Sequence, residues 1–414
     1  MTAPRSGMPA RAAAPLLTVA AFLAGPIGFL APLALAPLLI VVGLGLAVIC
    51  ALERRLPAPP IDLAVALALL CTLGLASTLW AIDPMHSLTR ALRLVGECVE
   101  GVLLLDAADR LDAVERRRVL GGLALGLGVT IALADIDAWW GRGLLHWLHG
   151  PGTPMTASDR GTTVLAVLMW PAALFLAGRR RWLGIGFWLL GALAVVAGLS
   201  ASAYLALAVA AATFGIAWAL RRTAARVALV LVPALMIAMP LVPVLTPPEH
   251  PLLPRALLKP SAMHRLVIWQ FADGRIVEKP LLGWGLDSAR AIPGGKMFRI
   301  LIDPVQGEQR YEQLPLHPHN GALQLWLELG ALGALVGALV ALVPLSRLAE
   351  PALATGPRAA GLACCAAAGV VLSLSYGIWQ SWWIAALWLA AFAVKLAVAD
   401  PPAGAPAARA PSGS

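Results

Sequence analysis

The sequence predicts an all-α polytopic membrane protein of about 12 transmembrane helices, with one large, partly helical loop between spans 9 and 10. Three observations predict it. Hydrophobic residues make up 60% of the 414-residue chain and charged residues only 13%, where a soluble domain runs nearer half and a quarter. That share is about 248 apolar residues, enough for roughly twelve spans of ~20 residues each. The apolar residues fall in long runs, and the basic residues cluster between them. A soluble enzyme, a disordered chain and a singly anchored protein are excluded.

The runs are justified in order. Residues 1–12 are polar and basic, and Ala13 to Phe29 is apolar, as in a cleavable leader; apolar character resumes at Leu33. Two spans with a tight Gly25-Pro26 to Pro32 connection are therefore expected, without cleavage. Further runs lie at about 60–80, 87–105, 118–139, 161–177, 182–199, 203–220, 227–246, 320–345, 359–377 and 380–398. The expected divisions are 1–246 (spans 1–9), 247–319 (outer catalytic loop), 320–398 (spans 10–12) and 399–414, a Pro/Ala-rich tail expected to be disordered. No internal repeat suggests a transporter made of two related halves. The five cysteines lie in apolar runs without metal or disulfide spacing.

Lys and Arg number 31 against 22 Asp and Glu, a net charge of +9. No basic run is interleaved with aromatics, so nucleic acid is not an expected partner. With a cytoplasmic N-terminus, the short inner loops hold Arg54-Arg55, Arg110 with Arg116 to Arg118, Arg179 to Arg181, Arg221-Arg222 with Arg226, Arg347 and Arg358. The short outer loops hold only Arg142 and Arg160. This contrast puts both termini inside and residues 247–319 outside the cytoplasm.

An outer segment of that length is expected to be functional or disordered, and its pattern is ordered. Leu253 to Leu258 is apolar, and Ser261 to Lys279 has helical periodicity, with Ser261 as its N-cap. Arg265 and Trp269 stand at i and i+4, on one face. Pro280-Leu-Leu-Gly-Trp-Gly285 is rich in turn residues. Nine basic residues (Arg255, Lys259, Arg265, Arg275, Lys279, Arg290, Lys296, Arg299, Arg310) lie in the segment, where the orientation bias does not govern them. The segment ends in His317-Pro-His319-Asn320, and Gln324 and Glu328 follow on the next span. A helix cap explains part of this, but His319 and Asn320 with Glu328 exceed what a cap needs. Ionisable groups at that depth mark a site.

Other polar groups have plainer readings. Arg90, Arg93, Glu97 and Glu100 form a stripe on the fourth span, expected to pair internally through Arg93 and Glu97, unless Arg90 reaches the outer site. Asp135-Ile-Asp137 has the form of a metal-diphosphate motif, but solvated helix-end acids are the better reading. Arg160, in Ser158-Asp159-Arg160-Gly161, is either a snorkelling arginine or a site residue. Ser200-Ala-Ser202 suits close helix packing.

Three stretches carry a resemblance. Leu79-Trp80-Ala-Ile-Asp83-Pro84 with Ser87 is one, and Asp159-Arg160-Gly161 with Trp170-Pro171 is another. The third runs from Arg265-x-x-x-Trp269 through Pro280-Leu-Leu-Gly283-Trp-Gly285 to His317-x-His319-Asn320, Glu328, Gly330 and Gly333. Together they resemble the O-antigen ligase family, which is related to O-antigen polymerases and protein O-oligosaccharyltransferases. Asp159 departs from the Asn commoner in that family.

The resemblance implies an inverting, metal-independent glycosyltransferase without cofactor, in the bacterial inner membrane with its active site facing the periplasm. Its donor would be a glycan on undecaprenyl diphosphate and its acceptor a hydroxyl of lipid A–core. The expected catalytic residues are His319, which takes the hydroxyl proton, and Arg265 and Arg160, which neutralise the leaving diphosphate. Expected to bind substrate are His317, Asn320, Glu328, Trp269, Trp284 and Arg90. A polymerase or a protein O-oligosaccharyltransferase shares the same donor. A transporter is disfavoured because the polar groups gather at the outer surface rather than along a midplane path.

Overall fold

The computed structural model describes residues 8–150, 153, 158–249, 260–303 and 307–399. The expected tail from 400 and the apolar stretch Leu253 to Leu258, with Arg255 and Lys259, lie outside the described residues. Helices α1 (Met8–Leu30), α2 (Leu35–Leu52), α3 (Ile61–Ala76), α4 (Pro84–Arg110) and α5 (Ala113–Trp139) open the bundle. Short α6 (Gly143–His149) is followed by α7 (Asp159–Arg179), α8 (Arg181–Ala197), α9 (Ala201–Leu220), α10 (Arg222–Ala238) and α11 (Leu241–Leu245). The long loop contributes α12 (Pro260–Glu278) and an antiparallel hairpin of β1 (Phe298–Asp303) and β2 (Gly307–Glu312). Helices α13 (Gly321–Leu348), α14 (Thr355–Leu374) and α15 (Ser381–Ala399) complete it.

The fold is an all-α polytopic membrane architecture. Among the described residues, nine helices are long and apolar enough to cross a membrane: α1, α2, α3, α5, α7, α9, α13, α14 and α15. The other three expected runs are also helical. Helix α4 carries the Arg90 to Glu100 stripe, and α8 and α10 have 17 residues each. The run 227–246 is not one helix, since α10 ends at Ala238 ahead of Pro240, whose ring cannot continue a helical ladder.

The core explains several sequence features. Helix α7 lies at its centre, with Gly161 to Ala172 buried without a break. The expected Gly25-Pro26 connection is instead part of α1, and the chain turns at Ala31 to Ala34. Gly25 serves contact: a Cβ there would meet Thr130 Oγ1 of α5 at 2.5 Å, so the missing side chain lets the two helices close. At one end of the bundle Arg55 and Arg110 meet Asp106, Lys395 meets Asp109, and Arg222 and Arg358 bond the carbonyls of Ala349 and Leu348. The ends assigned to the inner side by charge therefore meet one another. The long loop packs at the opposite end.

The hairpin was not legible in the sequence. Its Phe298, Ile300 and Ile302 are more than half exposed while Leu301 and Tyr311 pack on α12, so apolar residues fall on both faces and no apolar–polar alternation announces a strand. Helix α12 starts at Pro260, one residue before the expected cap. Ser261 lies inside its first turn, and its carbonyl accepts from Arg265 Nη1 at 2.9 Å.

Candidate functional site

The site is built on a break in α13. Gly330 has φ 64° and ψ −159°, a non-helical conformation inside the span. The break frees backbone groups on both sides, and the Pro280–Gly285 loop takes them. Trp284 N–H donates to Leu327 O at 3.0 Å and Gly285 N–H to Glu328 O at 2.8 Å. Ala331 N–H donates to Pro280 O at 2.8 Å and Leu332 N–H to Leu281 O at 3.4 Å. Gly283 and Gly285 have φ of +65° and +103°, which L side chains rarely adopt. A Cβ on Gly283 or Gly330 would overlap the facing backbone.

The same loop docks on the Trp80–Ser87 stretch. Trp80 Nε1 donates to Leu282 O at 3.1 Å, Ile82 N–H to Trp284 O at 3.2 Å and Ser87 Oγ to Leu286 O at 2.6 Å. Glu328, fully buried, accepts from Asp287 N–H at 2.7 Å, Ala289 N–H at 3.4 Å, Gln324 Nε2 at 3.1 Å and Trp379 Nε1 at 2.5 Å. It ties the loop, α13 and the α14–α15 turn together and, among the described residues, makes no hydrogen bond to either histidine.

The histidines stand beside that turn. Their rings are 4.3 Å apart. His319 Nδ1 donates to Ser375 O at 2.5 Å. A carbonyl only accepts, so the proton sits on Nδ1 and Nε2 keeps its lone pair. His319 has φ +54°, a left-handed conformation uncommon for a non-glycine residue and met at functional sites. His317 Nδ1 accepts from His319 N–H at 3.2 Å, and its Nε2 lies 3.5 Å from Gln380 Nε2. Burial, with the His319 and Arg290 charges adding, pushes His317 down to about 3. Burial, then the Arg265 and His264 charges, lowers His319 against the opposing Ser375 bond. Both shifts favour the neutral rings.

One arginine stands beside the pair and a second lies further along the turn. Arg265 Nε donates to Leu374 O at 2.9 Å, which fixes its guanidinium at the start of the turn. Burial lowers its pKa. Arg160 lies at the turn's other end, 5.9 Å over the Trp382 ring, with no hydrogen bond among the described residues. It lines an open hollow of about 310 Å³ with Leu33, Ala36, Gln380, Ser381 and Trp382. Arg90 reaches this place, donating from Nη1 to Ser381 Oγ at 3.0 Å. Its partner on α4 is Glu97; the expected Arg93–Glu97 pair does not form, because Arg93 lies exposed while Arg90 and Glu97 turn inward.

The remaining expected residues hold backbone. Trp269 Nε1 donates to Pro318 O at 2.9 Å, which fixes the peptide between the two histidines. Trp284 Nε1 donates to Arg275 O at 2.9 Å, and Lys279 Nζ covers its ring at 4.2 Å. Asn320 Oδ1 caps α13 by accepting from Leu323 N–H at 3.0 Å. Asp137 is buried rather than solvated: it accepts from Leu145 N–H at 3.0 Å and pairs with Arg142 at 3.4 Å. Ser200 is the N-cap of α9. Asp159 Oδ1 is buried without a hydrogen-bond partner among the described residues.

Sequence reasoning missed the Ser375–Ser381 turn, where His319, Gln324, Glu328 and Arg90 find partners, with Arg265 bound to Leu374 just before it. Tyr376, edge-on to Trp382 at 4.7 Å, is pushed up to about 12, chiefly by burial, and remains a donor. The available signal was a Gln and two Ser amid Tyr376, Trp379, Trp382 and Trp383, between two apolar spans.

A multi-pass helical membrane protein with a histidine pair and two arginines gathered around one interhelical turn is the class that fold and site define. Residues 187–337 match the family model described as O-antigen ligase. That stretch holds Arg265, the glycine loop, both histidines, Glu328 and the Gly330 break. The chain is 38% identical over 132 residues to a protein named "Putative polysaccharide ligase" from Rickettsia conorii, covering 32% of this chain and 31% of that one. It is 38% and 39% identical, over the same length and shares, to proteins of that name from Rickettsia prowazekii and Rickettsia typhi. The chain thus spans about a third of the length of the curated relatives it matches. These matches support the O-antigen ligase family for this chain.

Proposed function

We propose that the protein is a membrane glycosyltransferase that moves a glycan from undecaprenyl diphosphate to a hydroxyl of lipid A–core on the periplasmic face of the bacterial inner membrane. The observation that carries this is His319: its Nδ1–H is tied to Ser375 O, so Nε2 is a base, and arginines stand at both ends of the same turn. His319 Nε2 takes the proton of the acceptor hydroxyl as the oxygen attacks the anomeric carbon. The bond from that carbon to the phosphate oxygen breaks on the opposite face, giving inversion. Its electron pair leaves on the diphosphate, whose charge Arg160 and Arg265 meet, the second from a guanidinium already held by Leu374 O. The arginines of the short inner loops, against only Arg142 and Arg160 in the short outer ones, support this orientation. The names of the relatives agree with a ligase.

His319→Ala is expected to lower transfer by at least about a hundredfold. The measurement uses purified protein and a lipid-linked glycan, offered either lipid A–core or a second lipid-linked glycan as acceptor. Product on lipid A–core makes a ligase, and an elongated lipid-linked product makes a polymerase instead. Full transfer by His319→Ala, at equal protein, removes the assignment.

A further inference from the structure

Arg160 and Arg265 leave a third arginine beside the histidines, Arg290, without a role. It lies in a single helical turn, Ala289–Ala291, and its Nη2 reaches both carboxylate oxygens of Asp287, at 3.2 and 3.3 Å. His86, at the start of α4, meets the same carboxylate, with Nε2 2.9 Å from Oδ2. The side chains of His86, Asp287 and Arg290 keep 34%, 12% and 46% of their exposure. A stability pair between these groups favours two parallel N–H···O bonds. Here one nitrogen is shared between two oxygens, and among the described residues Nε and Nη1 make no hydrogen bond.

The cluster is held firmly and joined to the site through Glu328, which also binds Trp379 of the turn. Asp287 has φ +54°, strained for a non-glycine residue, and its N–H is fixed by Glu328 at 2.7 Å. Arg290 is close enough for its charge to help keep His317 neutral. One turn along α4 from His86, Arg90 touches Ser381 of the hollow. The diphosphate already has two guanidiniums, so a third serves a different anion. A hydroxyl is recognised by neutral groups; a partly solvated guanidinium held by a carboxylate suits a carboxylate or phosphate.

Resting on the ligase reading above, we propose that Arg290, positioned by Asp287 and His86, binds an anionic group, carboxylate or phosphate, carried by the acceptor glycan. The test compares three acceptors built on one glycan: carboxylated, phosphorylated and neutral. Purified full-length protein and a lipid-linked glycan donor are used throughout. The wild type prefers an anionic acceptor, and Arg290→Gln lowers the anionic-to-neutral ratio of kcat/KM about tenfold or more. Arg290→Lys keeps the charge without the fork and gives an intermediate ratio, and it carries the test if Arg290→Gln does not accumulate in the membrane. Whichever anionic acceptor responds identifies the group bound. Equal use of all three acceptors by the wild type, or an unchanged ratio in both variants, overturns the proposal. No transfer by the wild type to any acceptor overturns the ligase reading instead.

Discussion

Gly330→Ala tests the docking of the loop on the broken helix. The glycine occupies φ 64° and ψ −159°, a region of backbone space reserved to glycine, where another residue costs about 1–3 kcal/mol. The new Cβ would also overlap the Leu281 carbonyl. The loop must then move, and three well-formed bonds, from Trp284, Gly285 and Ala331 at 2.8–3.0 Å, are lost at about 1 kcal/mol each. The sum, about 4–6 kcal/mol, lowers the docked population by three to four decades. The assay is hydrogen exchange of the 280–286 amides in purified protein, alongside glycan transfer. Exchange there should accelerate by at least a hundredfold and transfer should collapse. Gly96→Ala is the control: nothing lies within 4 Å of its Cβ on α4, and helix propensity favours it by up to about 1 kcal/mol. Native exchange and native transfer in Gly330→Ala would refute the reasoning.

Trp269→Phe keeps the ring and removes the N–H that holds Pro318 O. It should cost about 1 kcal/mol and reduce transfer about fivefold at unchanged protein level, measured as initial rate; no change would show that the bond does not position the histidines. The pH dependence has a definite sign. His319 is depressed below its ordinary 6.5, so the base form persists on acidification, and the acidic limb of kcat/KM has its midpoint below 6.5. A midpoint at or above 6.5 contradicts the assignment. His317, depressed to about 3, contributes stability that is complete above 6.5 and is lost as pH falls toward 3; thermal unfolding midpoints across that range should decline on the acid side.

Much of the fold was legible because a bilayer imposes long apolar runs, and every run the sequence suggested is helical. The boundaries were less so. Gly25-Pro26 reads as a turn, yet in α1 the glycine buys contact with α5, a tertiary demand that local propensity does not record. The hairpin escaped notice because its apolar residues lie on both faces, Phe298, Ile300 and Ile302 outward and Leu301 and Tyr311 against α12. At the site, the sequence picked out His319, His317, Arg265 and Arg160, whose residue types are costly beside a membrane. Partnership was beyond it. Arg90 pairs with Glu97 across two helical turns rather than Arg93 across one, since burial selects which charges can meet. The Ser375–Ser381 turn was illegible for a simpler reason: it binds largely through Leu374 and Ser375 carbonyls and the Ile378 N–H, groups that any sequence would carry.

The junction at Gly330 has a consequence for divergence. Its bonds run from main chain to main chain, while the side chains of Leu281 and Leu282 remain 67% and 42% exposed. The docking therefore constrains the glycines and leaves their neighbours free to vary. A loop exchanged between relatives, with Gly283, Gly285 and Gly330 retained, should seat in the same register and present new side chains at the mouth of the site. Selectivity can then drift while the scaffold stays fixed.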